Sequence, residues 1–373
     1  MSPMNRDISA GPSLAGDLAR TSVERAIAEL RMGRPVLLGC EGETALIQSV
    51  EDFERGQAER LDAMSVRQGR LVLPAARLKR LGVERAHNGW IGLPTLDARR
   101  IATLAFSMDA RVDGPVRPTG RLDEAALELA RLALSLPAVV VMPLAEETEI
   151  DGSVLRVTAD AIEGYRAERV RDLKIVGRAP VPLEDAPETE FIVFRGGEGL
   201  RDQVAVVVGR PDFAEPVTVR LHSACLTGDL FGSLKCDCGD QLRFSVRWMA
   251  EHGGGILLYL DQEGRGNGIA NKIRAYKLQS EGYDTYDADE MLGFGPDQRR
   301  FDFAAEMLRQ LGVTRVRLIT NNPDKIAALQ NSGLDLVAHQ RAPARTTAEN
   351  AGYLASKRDR AGHLLGAGSA KAD

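Results

Sequence analysis

The sequence predicts an α/β protein (α+β in detail) of two domains, and three observations carry that expectation. Helical and strand-like stretches alternate through the first half of the chain. A length of 373 residues is too long for one average domain and fits two, each able to bury its own core. A proline-rich acidic run, Arg178 to Glu188 (RAPVPLEDAPE), reads as a stiff extended linker between them. The expected layout is a disordered N-terminus over 1–20, a first domain over 21–178, a linker over 179–189, a second domain over 190–365 and a disordered tail over 366–373.

In the first domain, SVERAIAELRMG is an amphipathic helix with Ser22 as its N-cap and Gly33 as its stop. Strands follow at Pro35 to Leu38, Leu71 to Leu73 and Val139 to Met142, and Asp123 to Leu136 is a helix ended by Pro137. His87 and Trp90 in HNGW read as a turn with a half-buried aromatic, and the isolated Cys40 as a small buried hydrophobe.

Composition narrows the function classes. The chain is 44% hydrophobic and 27% charged, as a globular protein is. It has no apolar run long enough to span a bilayer and no apolar signal core at its start, so no membrane partner is expected. Four cysteines make no disulfide framework, which favours a reducing cytoplasm. A net charge of −5 argues against nucleic acid as a partner, and leaves room for a small anionic substrate where basic residues cluster.

In the second domain, strands are expected at Phe191 to Phe194, Val204 to Val208 and Val217 to Leu221. The last runs into RLHSACLTGDLFGSLKCDCGDQ. Cys225, Cys236 and Cys238, spaced C-x10-C-x-C among Gly, Asp and Lys, suit a zinc ion. A structural site would need a fourth protein ligand, with His222 at hand. A catalytic site would leave that position to water, and spacing alone does not separate the two. After the strand GILLYL comes DQEGRGNGIANKIRAYKLQ, whose Gly264, Gly266 and Gly268 let backbone approach a ligand, and whose helix presents Lys272, Arg274 and Tyr276. In GFGPDQRRFDF, Asp297 can take a proton and Arg299 can grip a phosphate. The strand RVRLIT then opens into NNPDKIAALQ, with Asn322 as N-cap and Pro323 at the first helical position. That is a helix N-terminus suited to an anion, beside Lys325.

Two resemblances add to this reading. RLHSACLTGD, SLKCDCG, QEGRG, NKIRAY, GYDT, LGF, DQR and LITNNPDK stand in order over roughly residues 190 to 365 and resemble GTP cyclohydrolase II. The resemblance implies Cys225, Cys236 and Cys238 as ligands of one Zn2+ per subunit, with water at the fourth position. It implies GTP contacts from Arg220, Leu221, His222, Ser223, Ala224, Gln241, Glu263, Gly264, Arg265, Thr285, Thr320 and Lys325, with Glu263 at the guanine N–H edge. Tyr276 would assist at the ring, Asp297 would accept a proton and Arg299 would be the nucleophile at the α-phosphate. Mg2+ would accompany the triphosphate, and the family suggests a homodimer. The sequence departs from the family at Asn267, where an aliphatic residue is expected, and at Arg300, where many members carry an acid. The alternative is a catalytically silent GTP-binding regulator whose zinc is structural. The first half resembles 3,4-dihydroxy-2-butanone 4-phosphate synthase through AIAELRMGRPVLL and EAALELARLALSLPAVVVMPL. It has GCEGETALIQSV in place of an acidic metal-holding run and Leu122 in place of a metal-binding His, which implies a degenerate relative that kept the fold and lost the centre.

Overall fold

The computed structural model describes residues 18–364 apart from 52, 65–67, 146, 147, 149, 151, 198–200, 296 and 344. The expected disordered N-terminus falls almost wholly outside the described residues, and the tail over 366–373 does so entirely.

The chain forms two mixed seven-stranded sheets. The first is built from β1 (Val36–Cys40), β2 (Glu43–Ser49), β3 (Gly69–Leu73), β4 (Gly89–Leu93), β5 (Val116–Pro118), β6 (Val139–Pro143) and β7 (Arg156–Thr158), in the order β5-β4-β3-β6-β2-β1-β7. Helices α1 (Leu18–Arg31), α5 (Arg121–Leu132) and α6 (Ala159–Arg171) cover one face. Helices α2 (Arg55–Met64), α3 (Ala75–Arg80) and α4 (Ala98–Phe106) cover the other. Successive side chains of a strand point to opposite faces, which divides each strand between the two cores. In β1, Val36 and Leu38 join the α1/α5/α6 side while Leu37 joins the other.

The second sheet holds β8 (Lys174–Pro180), β9 (Thr189–Arg195), β10 (Asp202–Val208), β11 (Val217–Ser223), β12 (Gly255–Leu260), β13 (Arg315–Ile319) and β14 (Asp335–Gln340), in the order β14-β13-β11-β12-β10-β9-β8. Its helices are α7 (Leu226–Asp229), α8 (Cys238–Glu251), α9 (Ile269–Ser280), α10 (Thr285–Met291), α11 (Asp302–Gln310), α12 (Pro323–Asn331) and α13 (Ala351–Ala361). The parallel pairs β11·β12 and β11·β13 put the C-terminal ends of three central strands side by side. Ligand sites of α/β sheets form at such ends.

Three expectations are corrected here. The proline-rich run is not a linker between domains. Lys174–Pro180 pairs antiparallel with β9, and Leu183 bridges Ala186, so the run is the turn of a hairpin inside the second sheet. Its prolines sit at a strand end and in the turn, where no ladder N–H is lost. The opening helix starts before Ser22, whose Oγ donates to Ala19 O (2.7 Å) within the helix. The helix expected to reach Leu136 ends at Leu132, because Leu134 turns to φ 58°. Gly33, at φ 70°, does follow the end of α1.

The halves are packed together. Phe294 is buried in the N-terminal core beside Leu73 and Leu78. Arg77, 2% exposed, donates to Leu104 O and Ser107 O of its own half and to Met291 O of the other. Arg80 pairs with Asp287 and Glu290 on α10.

Candidate metal centre and nucleotide site

Strand β11 organises the site. Val217, Val219 and Leu221 face the core, and the alternation turns Arg220 and His222 to the opposite face. The chain leaves the sheet through Ser223 and Ala224, whose N–H donates to Leu260 O (2.7 Å), and reaches Cys225. The short helix α7 and the following loop return Cys236 and Cys238 to the same place, Cys238 opening α8.

The three sulfurs lie within 4.8 Å of one another, with Cys225 Sγ and Cys236 Sγ 3.6 Å apart. Tetrahedral zinc with bonds of about 2.3 Å holds its sulfurs about 3.8 Å apart, so the donor set fits the ion. Hydrogen bonds from Cys236 and Cys238, together with Lys272 Nζ at 3.1 Å, hold the Cys225 thiol far below its usual range. The Cys236 thiol is pushed up to about 11, chiefly because it donates to Cys225, and Cys238 is raised further by both neighbours and by burial. One thiolate is thus stable by itself, and ionising the other two calls for a cation. His222 does not join this group among the described residues: its Nε2 meets Asp229 Oδ2 at 3.0 Å and its ring stacks on Tyr259. Asp229 also accepts from Cys225 N (2.9 Å) and Tyr259 OH (3.0 Å), so one carboxylate pins the start of the cysteine loop.

Two cavities meet at the cluster. One is lined by the three cysteines and by Glu263, Gly264, Arg265, Asn267, Lys272, Tyr276, Thr285 and Asp289. The other is lined by Arg220, His222, Gln241, Asp297, Thr320, Asn322 and Lys325. Cys238, Arg265, Arg299 and Tyr353 border both, so the two are lobes of one site.

The cation-rich lobe has the chemistry of an anion site. Arg220 is 5% exposed and donates to Ile319 O and Gln241 Oε1, while its Nε finds no partner among the described residues. Asn322 caps α12 through its Oδ1, and its Nδ2 is likewise unpartnered. Buried donors left unpaired are costly, and both border the lobe where an acceptor would serve them. Lys325 Nζ donates to Leu221 O (2.6 Å), and burial with Arg299 and Arg220 nearby depresses its pKa. Arg299 donates through Nε to Asp297 Oδ1 (2.9 Å). Burial alone would raise the pKa of Asp297, but the charge and hydrogen bonds of Arg299 bring it below the usual carboxylate range, and Arg299 is raised in turn. Arg300 turns away to Asp302 (2.9 Å), which leaves Arg299 as the arginine of that pair at the site.

The glycine-rich turn Glu263–Gly266 holds Gly264 and Arg265 both at φ 60°, a strained backbone for arginine. Arg265 lies over the Tyr286 ring and pairs with Asp289 at 2.9 Å. Burial raises Asp289 to about 6 against the pull of Arg265. The Tyr276 phenol is raised by burial and stays protonated at neutral pH.

Not every expected residue reaches a cavity in the expected way. Glu263 lines the cysteine lobe, where Oε1 accepts from Lys272 Nζ (2.7 Å) and Oε2 from Leu226 N (2.6 Å), and the carboxylate keeps acceptor capacity for a further donor. Leu221 has its side chain in the core and offers only its carbonyl, and Ala224 lines neither lobe. Ser223 touches the site through its hydroxyl, which accepts from Arg299 at 3.4 Å. Of the α9 residues, Lys272 and Tyr276 share a face at i,i+4 while Arg274 points to Glu51 of the N-terminal half (2.6 Å). The sequence reading missed Asp289, Asn321, Tyr286, Tyr353 and Lys357. Only packing brings these to the site, and Asn322 was seen there only as a helix cap.

In the N-terminal half, residues 42–45 and Leu122 border a cavity of about 730 Å³ with Gln68, Arg70 and Arg156. Glu43 is the sole carboxylate among its described lining residues. Trp90 lies under Arg70 and Arg117, while His87 is exposed and Cys40 half-buried.

The model of the family "GTP cyclohydrolase II" matches residues 174–341, beginning at β8. GTP cyclohydrolase-2 of Xylella fastidiosa (strain Temecula1) is 46% identical over 97% of this chain and 92% of its own. Riboflavin biosynthesis protein RibBA of Bacillus cereus (strain ATCC 14579) is 40% identical over 70% of this chain and 68% of its own. Among solved structures, RibBX, a two-domain 3,4-dihydroxy-2-butanone 4-phosphate synthase from A. baumannii, aligns at 19% identity over 87% of this chain and 99% of that chain, with a TM-score of 0.32. On the breadth of the first relationship, with the family motifs folded around one site, this chain belongs to the GTP cyclohydrolase II family of hydrolytic enzymes.

Proposed function

We propose that the protein hydrolyses GTP to 2,5-diamino-6-ribosylamino-4(3H)-pyrimidinone 5′-phosphate, formate and pyrophosphate, the opening step of riboflavin synthesis. The same reading includes one Zn2+ per subunit, Mg2+ with the triphosphate, and a cytoplasmic homodimer. The observation that carries it is the junction of a three-thiol cluster with a cation-lined lobe, which suits a ligand with a reactive ring at one end and phosphates at the other.

In this reading Cys225, Cys236 and Cys238 hold the zinc. When bound, zinc supplies the Lewis acidity that makes water nucleophilic near neutral pH. Lys272 keeps Cys225 ionised, and Glu263 orients Lys272 and the cysteine loop. Tyr276, protonated, donates to the purine ring as the imidazole opens at C8 and formate leaves. Gly264, Arg265 and Thr285 border the base, while Arg220, His222, Ser223, Gln241, Thr320 and Lys325 hold the phosphates, with the backbone of Leu221 and Ala224 shaping the loop between.

Water adds to the α-phosphorus as its bond to the bridging oxygen breaks and pyrophosphate departs, with Arg299 neutralising the charge there and Asp297 placed to take the proton of that water. For Arg299 to attack phosphorus itself it would first have to lose a proton, and its resting pairing with Asp297 opposes that. Once Arg299 turns to phosphate, burial dominates at Asp297, whose pKa rises and which then accepts a proton.

A silent regulator with a structural zinc is not favoured, because its fourth ligand, His222, is engaged by Asp229. We read the N-terminal half as a degenerate butanone-phosphate-synthase relative, supported by Leu122 and by Glu43 being the one carboxylate among the described residues that line its cavity. The test is incubation of zinc-replete protein with GTP and Mg2+, following formate, pyrophosphate and the pyrimidine together. All three appear if the reading is right. Pyrophosphate without formate would remove the zinc chemistry from it.

A further inference from the structure

Helix α13 lies C-terminal to the segment that the family model matches, yet it borders the phosphate lobe. Tyr353, Lys357 and His363 all line that cavity. The helix is held down at its far end by Arg360, which reaches Asp284 (2.9 Å) and Asp287 (3.3 Å) on α10. Just beyond it, Leu364 N donates to Asn321 O (2.9 Å), and Leu354 is buried beneath. We infer that α13 is a strap over the phosphate end of the site and that Lys357 is a further triphosphate-binding residue, an inference that rests on the nucleotide reading above.

Three observations support this. Lys357 is only loosely engaged: its Nζ stands 3.6 Å from Asp237 Oδ1, an oxygen with no hydrogen bond among the described residues, and 4.1 Å from the Tyr353 ring centroid. A lysine so placed can exchange that contact for a phosphate oxygen, a stronger charge-assisted bond. The lobe's charge also asks for a polyanion. Arg220, Arg265, Arg299, Lys325 and Lys357 border it against the carboxylates of Asp237 and Asp297, a formal excess of three positive charges (five minus two) that an anion would restore in full at Lys325. Finally, the strap walls a lobe of about 80 Å³ that shares Cys238, Arg265, Arg299 and Tyr353 with the cysteine-lined lobe, so Lys357 stands at the end of the site away from the thiols. The ion pairs of Arg360, about two-fifths exposed, are the weak kind that can open.

The competing explanation is that Lys357 merely neutralises Asp237. The experiment compares wild type with Lys357→Gln and Lys357→Arg in the full-length protein, titrating inorganic tripolyphosphate and guanosine separately by calorimetry and measuring GTP turnover in parallel. Lys357→Gln is expected to weaken tripolyphosphate binding about tenfold, with guanosine binding held and most of the turnover loss falling on KM. Lys357→Arg is expected to restore most of the tripolyphosphate affinity. Unchanged tripolyphosphate affinity in Lys357→Gln, or an equal loss for guanosine, would overturn the assignment. Failure of wild type to turn over GTP would refute the proposed function instead, and the tripolyphosphate titration would still decide the role of Lys357.

Discussion

Asp289 shows how a single side chain can couple the nucleotide site to pH. It is buried beside Arg265, and burial lifts its pKa from 3.8 to about 6. A carboxyl raised on folding favours the native state fully below the unfolded value. That contribution fades as pH climbs through the folded value. Asp289→Asn, which stays neutral, should therefore gain stability relative to wild type between pH 4 and 7, on the order of 3 kcal/mol for a shift of about two units. Unfolding both proteins at the two pH values measures this, and a pH-independent difference would refute it. Glu263 belongs to the same scale. Its motif position pointed to the base, and its oxygens also serve Lys272 and the backbone of Leu226. A sequence shows that a carboxylate is present at a motif but not which protein neighbours share it.

The decisive element is the loop from Cys225 to Cys238. A Cβ added at Gly228 would stand 2.7 Å from Cys236 Sγ and 3.0 Å from Cys225 Sγ. Gly228→Ala should thus spread the sulfurs, so that zinc content and formate release both fall while the circular dichroism of the folded chain is kept. Full zinc occupancy in that variant would contradict the account. The cluster was legible in the sequence because its ligands are close neighbours along the chain, as were β6, β12, β13 and the Asn322 cap, which rest on local patterns. Boundaries set by tertiary contact were not. The prolines of 180–187 suggested a linker, but pairing of β8 with β9 made them a hairpin turn. Tyr353 and Lys357 escaped notice for the same reason: on α13 they read as an ordinary surface helix, and only docking turns them to the site.

At the scale of the molecule, the two halves share a core. The loop that carries Asp297 and Arg299 begins at Leu292 and Phe294, which pack into the N-terminal half against residues from α3 and β3, while Gly293 sits where a Cβ would meet Pro74 at 2.9 Å. The N-terminal half thereby braces the loop of Asp297 and Arg299. Phe294→Ala should cost about 3–5 kcal/mol in global stability. At temperatures where the variant remains folded, it should lower kcat with zinc content intact. Unchanged kcat in folded Phe294→Ala would show that the bracing is without functional effect.

The central claim is that the thiol cluster and the cation-lined lobe act on one GTP molecule. GTP radiolabelled at C8, given with Mg2+ to zinc-replete wild type and to Cys236→Ser, tests it most directly. The account predicts that wild type releases the label as formate while the pyrimidine product retains none, and that Cys236→Ser releases none. Label remaining in the nucleotide with wild type, or formate released equally by Cys236→Ser, would contradict it.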